Sequence, residues 1–184
     1  MKFLNLVTTA ILLSQCTTEK YENIEPSSQA ISTALEAYQW GSTLVENGRV
    51  IDLNELTTLY GSSADWADEE LKAKLAKVND KLKNYKPGNA ADRDKILFIF
   101  YGFLPMSRDM SDVSKPQVIE EGAVWKVAIS GILTRGIQWN VKSYKVSYHF
   151  LISKEKGRFR VKDIIIDGVG SRRTLCQWLD GVVN

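Results

Sequence analysis

The sequence predicts an α+β fold in which helices come first, a curved antiparallel sheet follows and a short helix closes the chain. Three observations carry this prediction. Trp66, Leu71, Leu75, Val78, Leu82 and Tyr85 recur at spacings of mostly three and four, the period of a helix with one buried face. Tyr144, Val146, Tyr148, Phe150 and Ile152 alternate with Ser143, Lys145, Ser147 and His149, the period of a strand covered on one side. A charged turn at Lys154-Glu155-Lys156-Gly157 and a tight exit at Asp167-Gly168 bracket the next apolar run, which makes it the partner strand of a hairpin. With 184 residues, 44% hydrophobic and 25% charged, the chain has the size and composition of one globular domain plus a leader.

The elements follow in order. Met1 and Lys2 form a minimal positive start, and residues 3–13 are uncharged and mostly apolar. That run is too short for a membrane span of about 20 residues and has the form of an export signal, placed at 1–16. Leu13-Ser14-Gln15-Cys16 resembles a lipobox, which makes Cys16 a candidate for lipidation, although Gln15 is larger than the pattern asks. Cleavage after Cys16, with Ser14 at −3, is the other reading. Residues 17–28 are polar, contain Pro26 and form a linker, able to reach on the order of 40 Å when extended. A single domain then occupies 29–184.

Ser27 or Ser28 caps a helix to about residue 46, with Ile31, Ala34, Leu35, Tyr38 and Val45 near one face. Asp52 and Glu55 open a short helix through Tyr60. The helix carrying Trp66 to Tyr85 has Asp68, Glu69 and Glu70 at its start and Lys81, Lys83 and Lys86 at its end, which suits the helix dipole. Residues 93–104, capped by Asp92, are apolar all round and predict a helix buried on most sides, with a buried strand as the competing reading. After Pro105 strands take over, at 117–121, 123–134, 138–153 and 158–167. Gly131 marks a bend or bulge, and Arg135-Gly136 a turn. Phe159 and Val161 have the opposite parity to Ile164 and Ile166, so this strand either bulges or is covered on both faces in its second half. The last helix spans residue 171 to about 179.

Catalytic chemistry is sparse. His149 is the only histidine, so no multi-histidine metal site can form and any triad rests on that residue. Asp163 and Asp167 share a strand face, where an acid–base pair is conceivable but turn chemistry at Asp167-Gly168 is the simpler reading. Gly-x-Ser-x-Gly, P-loop and Cys-x-x-Cys motifs are absent, and Gly168-Val169-Gly170 is too weak for a phosphate cradle. Cys176 sits beside Leu175 and reads as a small buried hydrophobe. A net charge of +2 gives no argument for nucleic acid. The sequence therefore implies no enzyme, no cofactor and no metal. What remains is a large apolar and aromatic inventory, which either packs on itself as core or encloses a ligand pocket.

The stretch FRVKDIIIDGVGS at 159–171 resembles the C-terminal part of the MlaC, or toluene-tolerance, family of periplasmic phospholipid-binding proteins. That family has a strand ending in Asp-x-x-x-(Asp/Glu)-Gly-Val-Ser, entered from a hairpin and followed by a helix. Asp163, Asp167, Gly168 and Val169 match, and Gly170 stands where Ser is usual; the similarity spans 125–178. The resemblance implies a monomeric lipid carrier with acyl chains held between sheet and helices. It also implies partnership with an inner-membrane lipid transporter and an outer-membrane lipoprotein complex. Phe98, Phe100, Tyr101, Phe103, Tyr144, Val146, Tyr148 and Phe150 are then the candidate lipid-binding residues. Burying a sixteen-carbon chain is worth on the order of 12 kcal/mol at ~0.8 kcal/mol per CH₂, so a carrier through water needs such a cavity. If Cys16 is acylated, the protein works tethered to one membrane, facing the periplasm or exterior, rather than as a diffusing shuttle. NTF2-like and cystatin-like domains share the helix-plus-curved-sheet layout, and the alternative is a lipoprotein of that kind acting as a protein-binding adaptor.

Overall fold

The computed structural model describes residues 25–42, 58, 60, 63–86, 88, 110–137, 140–168 and 173–183. Helix α1, Pro26–Ser42, starts three residues ahead of the expected domain boundary because Pro26 serves as a first helical residue, where its fixed φ is helical and no N–H is needed. The backbone amides of Ser28 and Gln29 donate to the Glu25 carbonyl. The helical period was legible, but the buried face centres on Ala30, Ala34 and Ala37, all fully buried. Ile31, Leu35 and Tyr38 flank it, half-buried. Small side chains let α1 lie close against β2, β3, β4 and β5 of the sheet. The expected end of this helix at 43–46, the short helix from Asp52 and the 93–104 segment fall on residues outside those described, apart from Thr58 and Tyr60.

Helix α2, Glu69–Asn84, follows its prediction closely. The Asp68 carboxylate accepts from the Leu71 amide at 2.8 Å, satisfying one of the first-turn donors that an α-helix leaves open. Leu71, Leu75, Val78 and Leu82 form its buried stripe. Just before it, the chain joins the sheet: the Val161 amide donates to the Trp66 carbonyl and the Asp68 amide to the Val161 carbonyl, at 2.7 and 2.9 Å.

The sheet is antiparallel, six-stranded and curled into a half-barrel. Its strands are β1 Met110–Ser111, β2 Gln117–Glu120, β3 Val124–Ile137, β4 Asn140–Glu155, β5 Arg158–Asp167 and β6 Arg173–Thr174. They lie in the order β1-β3-β4-β5-β6, with β2 also pairing β3. Two readings of β3 need correction. Arg135 and Gly136 do not turn the chain but pair with Lys142 and Val141, so the β3–β4 hairpin is longer than expected. The flanking Ile137 and Val141 suit a ladder, and pairing overrides the turn preference of the Arg-Gly step. Gly131 carries no bulge on its β4 side either, since the register passes through it to Val146 unbroken. Its missing side chain admits β1: a Cβ there would overlap the Met110 side chain and meet the Ser111 carbonyl oxygen at 3.1 Å.

The β4–β5 connection is tighter than the sequence indicated. Glu155 pairs with Arg158, leaving Lys156 and Gly157 as a two-residue turn with φ of 47° and 83°, the signs of a type I′ turn matched to the twist of a hairpin. Within β5 both alternatives hold. Ile152 pairs with Val161 and Leu151 with Asp163, so Lys162 is the extra residue of a bulge and the parity switches there. Phe159, Val161, Ile164 and Ile166 thereby share one face, while Ile165 is buried as well. The final helix, α3, is Leu175–Val183, later than expected because Arg173 and Thr174 first pair with Ile166 and Ile165 as β6. It packs against α2 and β5.

Candidate functional site

Four strands build the inner face of the curled sheet, and cross-strand register sets its rows. Trp125, Val127, Ile129, Gly131 and Leu133 of β3 stand opposite Ile152, Phe150, Tyr148, Val146 and Tyr144 of β4. Phe150 and Tyr148 in turn face Ile164 and Ile166 of β5. Val146, Tyr148 and Phe150 are wholly buried, and Tyr144 at the end of the row is half-buried. Of the candidate lipid-binding residues, these four are therefore brought onto one surface. Phe98, Phe100, Tyr101 and Phe103, together with Cys16, lie outside the described residues.

Alternation along one strand could show four wall residues but not their neighbours. Val127, Ile129, Leu133, Ile164 and Ile166 complete the wall, and only register and the Lys162 bulge place them there. Aromatic contacts tie the wall to α1 and to the hairpin. The Tyr38 and Tyr148 rings meet edge to face with centroids 6.4 Å apart, and Trp125 meets Phe159 at 5.7 Å and 90°. Burial raises the Tyr38 phenol above its ordinary pKa. Beside these, Trp40 packs on Trp66 and Tyr60, with centroids at 5.2 and 5.7 Å.

The outer face is mixed. Ser130 and Ser147 share a hydrogen bond at 2.7 Å, and His149 lies between Ala128 and Ile165 in the ladder. Asp163 and Asp167 do fall on this one face, opposite Leu151 and Ser147, but Asp163 has a structural task. One of its carboxylate oxygens accepts from its neighbour Ile164 at 2.8 Å and from the Cys176 amide at 3.0 Å. Thr174 Oγ1 accepts from the Gln177 amide at 3.2 Å. Together they satisfy two first-turn donors of α3, with a negative charge at the positive end of the helix. Asp163 thus clasps the closing helix to the sheet.

Asp167-Gly168 is conformational chemistry too. Gly168 has φ +112°, and a Cβ there would collide with the Lys145 carbonyl oxygen. Only glycine lets the chain leave β5 so close to β4.

Cys176 is held as a thiol. Burial, and then the neighbouring Asp163 carboxylate, push its pKa from 9.0 up to about 12, and its Sγ donates to the Lys162 carbonyl at 3.5 Å. A thiol kept protonated in the fold contributes stability fully present below pH 9, the unfolded value, and lost as pH climbs through about 12. Cys176→Ala is therefore expected to flatten the decline in urea midpoint across that alkaline window. Iodoacetamide is expected to label the native protein slowly at pH 8, since the thiolate is the reactive form; labelling as fast as the urea-unfolded chain would contradict this.

Among the described residues no cluster of three or more His, Cys, Asp or Glu could hold a metal ion, and no helix is long and apolar enough to cross a membrane. The architecture defines an α+β protein whose curled antiparallel sheet carries a helix across an apolar inner face. No protein-family model, no curated protein and no solved structure matches the chain.

Proposed function

We propose that this chain is an exported phospholipid-binding protein that holds acyl chains against the inner face of its curled sheet. It takes the NTF2-like or cystatin-like layout in this reading and acts without catalysis. The observation that carries it is the continuous apolar wall across β3, β4 and β5, from Trp125 and Phe159 at one end to Leu133 and Tyr144 at the other. The export signal and the MlaC-like segment at 159–171 support it.

Helix α1 covers this wall, so an acyl chain must part α1 from the sheet. The alanine face makes that separation inexpensive. Three buried alanine methyls contribute about 2–3 kcal/mol at ~0.8 kcal/mol per carbon, against roughly 12 kcal/mol for one sixteen-carbon chain. Tyr144, half-buried at the end of the wall, marks the entry. Delivery to or from an inner-membrane transporter and an outer-membrane lipoprotein complex, with Cys16 as a tether if acylated, belongs to the same proposal.

A second reading is favoured by a different observation. Val113, Ile119 and Val124 are large hydrophobics exposed by 45%, 48% and 39% at the β2 side of the sheet, a surface suited to a protein-binding adaptor. Native mass spectrometry and organic extraction of the purified chain separate the two. The lipid reading expects co-purifying phospholipid, released on denaturation. Protein free of phospholipid, and unable to take up dioctanoyl-phosphatidylglycerol when offered it, would leave the adaptor reading.

A further inference from the structure

The β3–β4 hairpin continues past the end of β5. The last β5 partner on β4 is Ser147, opposite Asp167, whereas β3 and β4 stay paired as far as Ile137 and Asn140. This two-stranded arm keeps the register of the rest of the sheet without a break, so alternation carries the inner-face parity along it. The next inner-face pair after Leu133↔Tyr144 is Arg135↔Lys142. The apolar wall therefore ends, one step beyond its half-buried tyrosine, in two cations set directly across from each other. Lys142 is exposed.

Like charges directly opposite on adjacent strands destabilise a sheet, with Cβ atoms only about 4.5–5.5 Å apart. An anion between them turns that repulsion into two charge-assisted contacts. Its place at the mouth of a greasy wall is where the head of an amphiphile sits when its tails lie along the wall. We propose that Arg135 and Lys142 form the headgroup subsite of the lipid site and select ligands bearing a phosphate group. The inference rests on the acyl-chain reading above and adds to it a preference for phospholipid over uncharged lipid.

The test compares three probes on the purified full chain by isothermal titration calorimetry: dioctanoyl-phosphatidylglycerol, dioctanoylglycerol and inorganic phosphate. The phospholipid is expected to bind about tenfold or more tighter than the diacylglycerol, equivalent to about 1.4 kcal/mol. Inorganic phosphate alone is expected to bind far more weakly than either. The variant R135Q/K142Q is expected to bind both lipids at the diacylglycerol affinity, with its urea midpoint unchanged or raised because a repulsive pair is gone. Equal affinity of the wild type for both lipids would overturn the headgroup subsite and leave acyl-chain binding intact. Failure of both lipids to bind would overturn the two together. Phosphate binding as tight as that of the phospholipid, with no uptake of diacylglycerol, would overturn the headgroup assignment in favour of a free-phosphate site.

Discussion

Replacing Gly168 by alanine is expected to destabilise the domain by about 3 kcal/mol or more, at or beyond the upper end of ordinary single substitutions. Two independent costs combine. A φ of +112° is open to glycine and strained for any residue with a Cβ, and the added carbon would overlap the Lys145 carbonyl oxygen, which is backbone and cannot swing aside. Relief requires β5 to move away from β4 at Ser147↔Asp167, which also disturbs the approach to β6. The comparison is Gly122→Ala, where nothing lies within 4 Å of the new carbon and the change is expected to stay within about 0.5 kcal/mol. Urea unfolding of the two variants measures this directly. A Gly168→Ala midpoint within error of the wild type would show that β5 does not leave the sheet as described.

Phe150→Ala is expected to cost about 3–5 kcal/mol, the usual range for emptying a buried phenylalanine site. The ring is fully buried at the centre of the inner face, between Val127 and Ile164 in the ladder. Leu151→Ala, one residue along on the half-buried outer face, is expected to cost clearly less. The pair of variants tests face assignment, since a reversed register would reverse the order. Ligand binding should move the other way. A cavity lined by apolar side chains accepts apolar guests, so Phe150→Ala is expected to bind dioctanoyl-phosphatidylglycerol at least as tightly as the wild type, despite its lower midpoint.

Sequence period alone carried much of the fold. The α2 stripe, its Asp68 cap, the one-sided β4 and the span of β5 were all readable, because each is written in residues close together in the chain. What escaped depended on partners far away. The parity change between Val161 and Ile164 was visible, but choosing Lys162 as the bulge needed the register with Leu151 and Ile152. Arg135-Gly136 looked like a turn because nothing local shows that Val141 and Lys142 will pair with it. The alanine face of α1 was masked by its larger neighbours Ile31, Leu35 and Tyr38, since hydrophobicity scales reward size while close packing on a sheet rewards smallness. Asp163 was seen as one half of a carboxylate pair; its role as the clasp of α3 rests on an amide thirteen residues on. The candidate site was legible in part for the same reason: one row of the wall is local to β4, and the other rows come from strands beside it.

Acyl chains lying on the inner face of the sheet are tested most directly by methyl NMR during titration with dioctanoyl-phosphatidylglycerol. Val127, Ile129, Val146, Ile164 and Ile166 report from the inner face, and Ile132 and Ile165 from the outer one. Large saturable shifts on the inner-face methyls, with the outer pair little changed, are the expected result. Shifts confined to Ile119 and Val124 on the exposed β2 side, or no saturable shift at all, would contradict it.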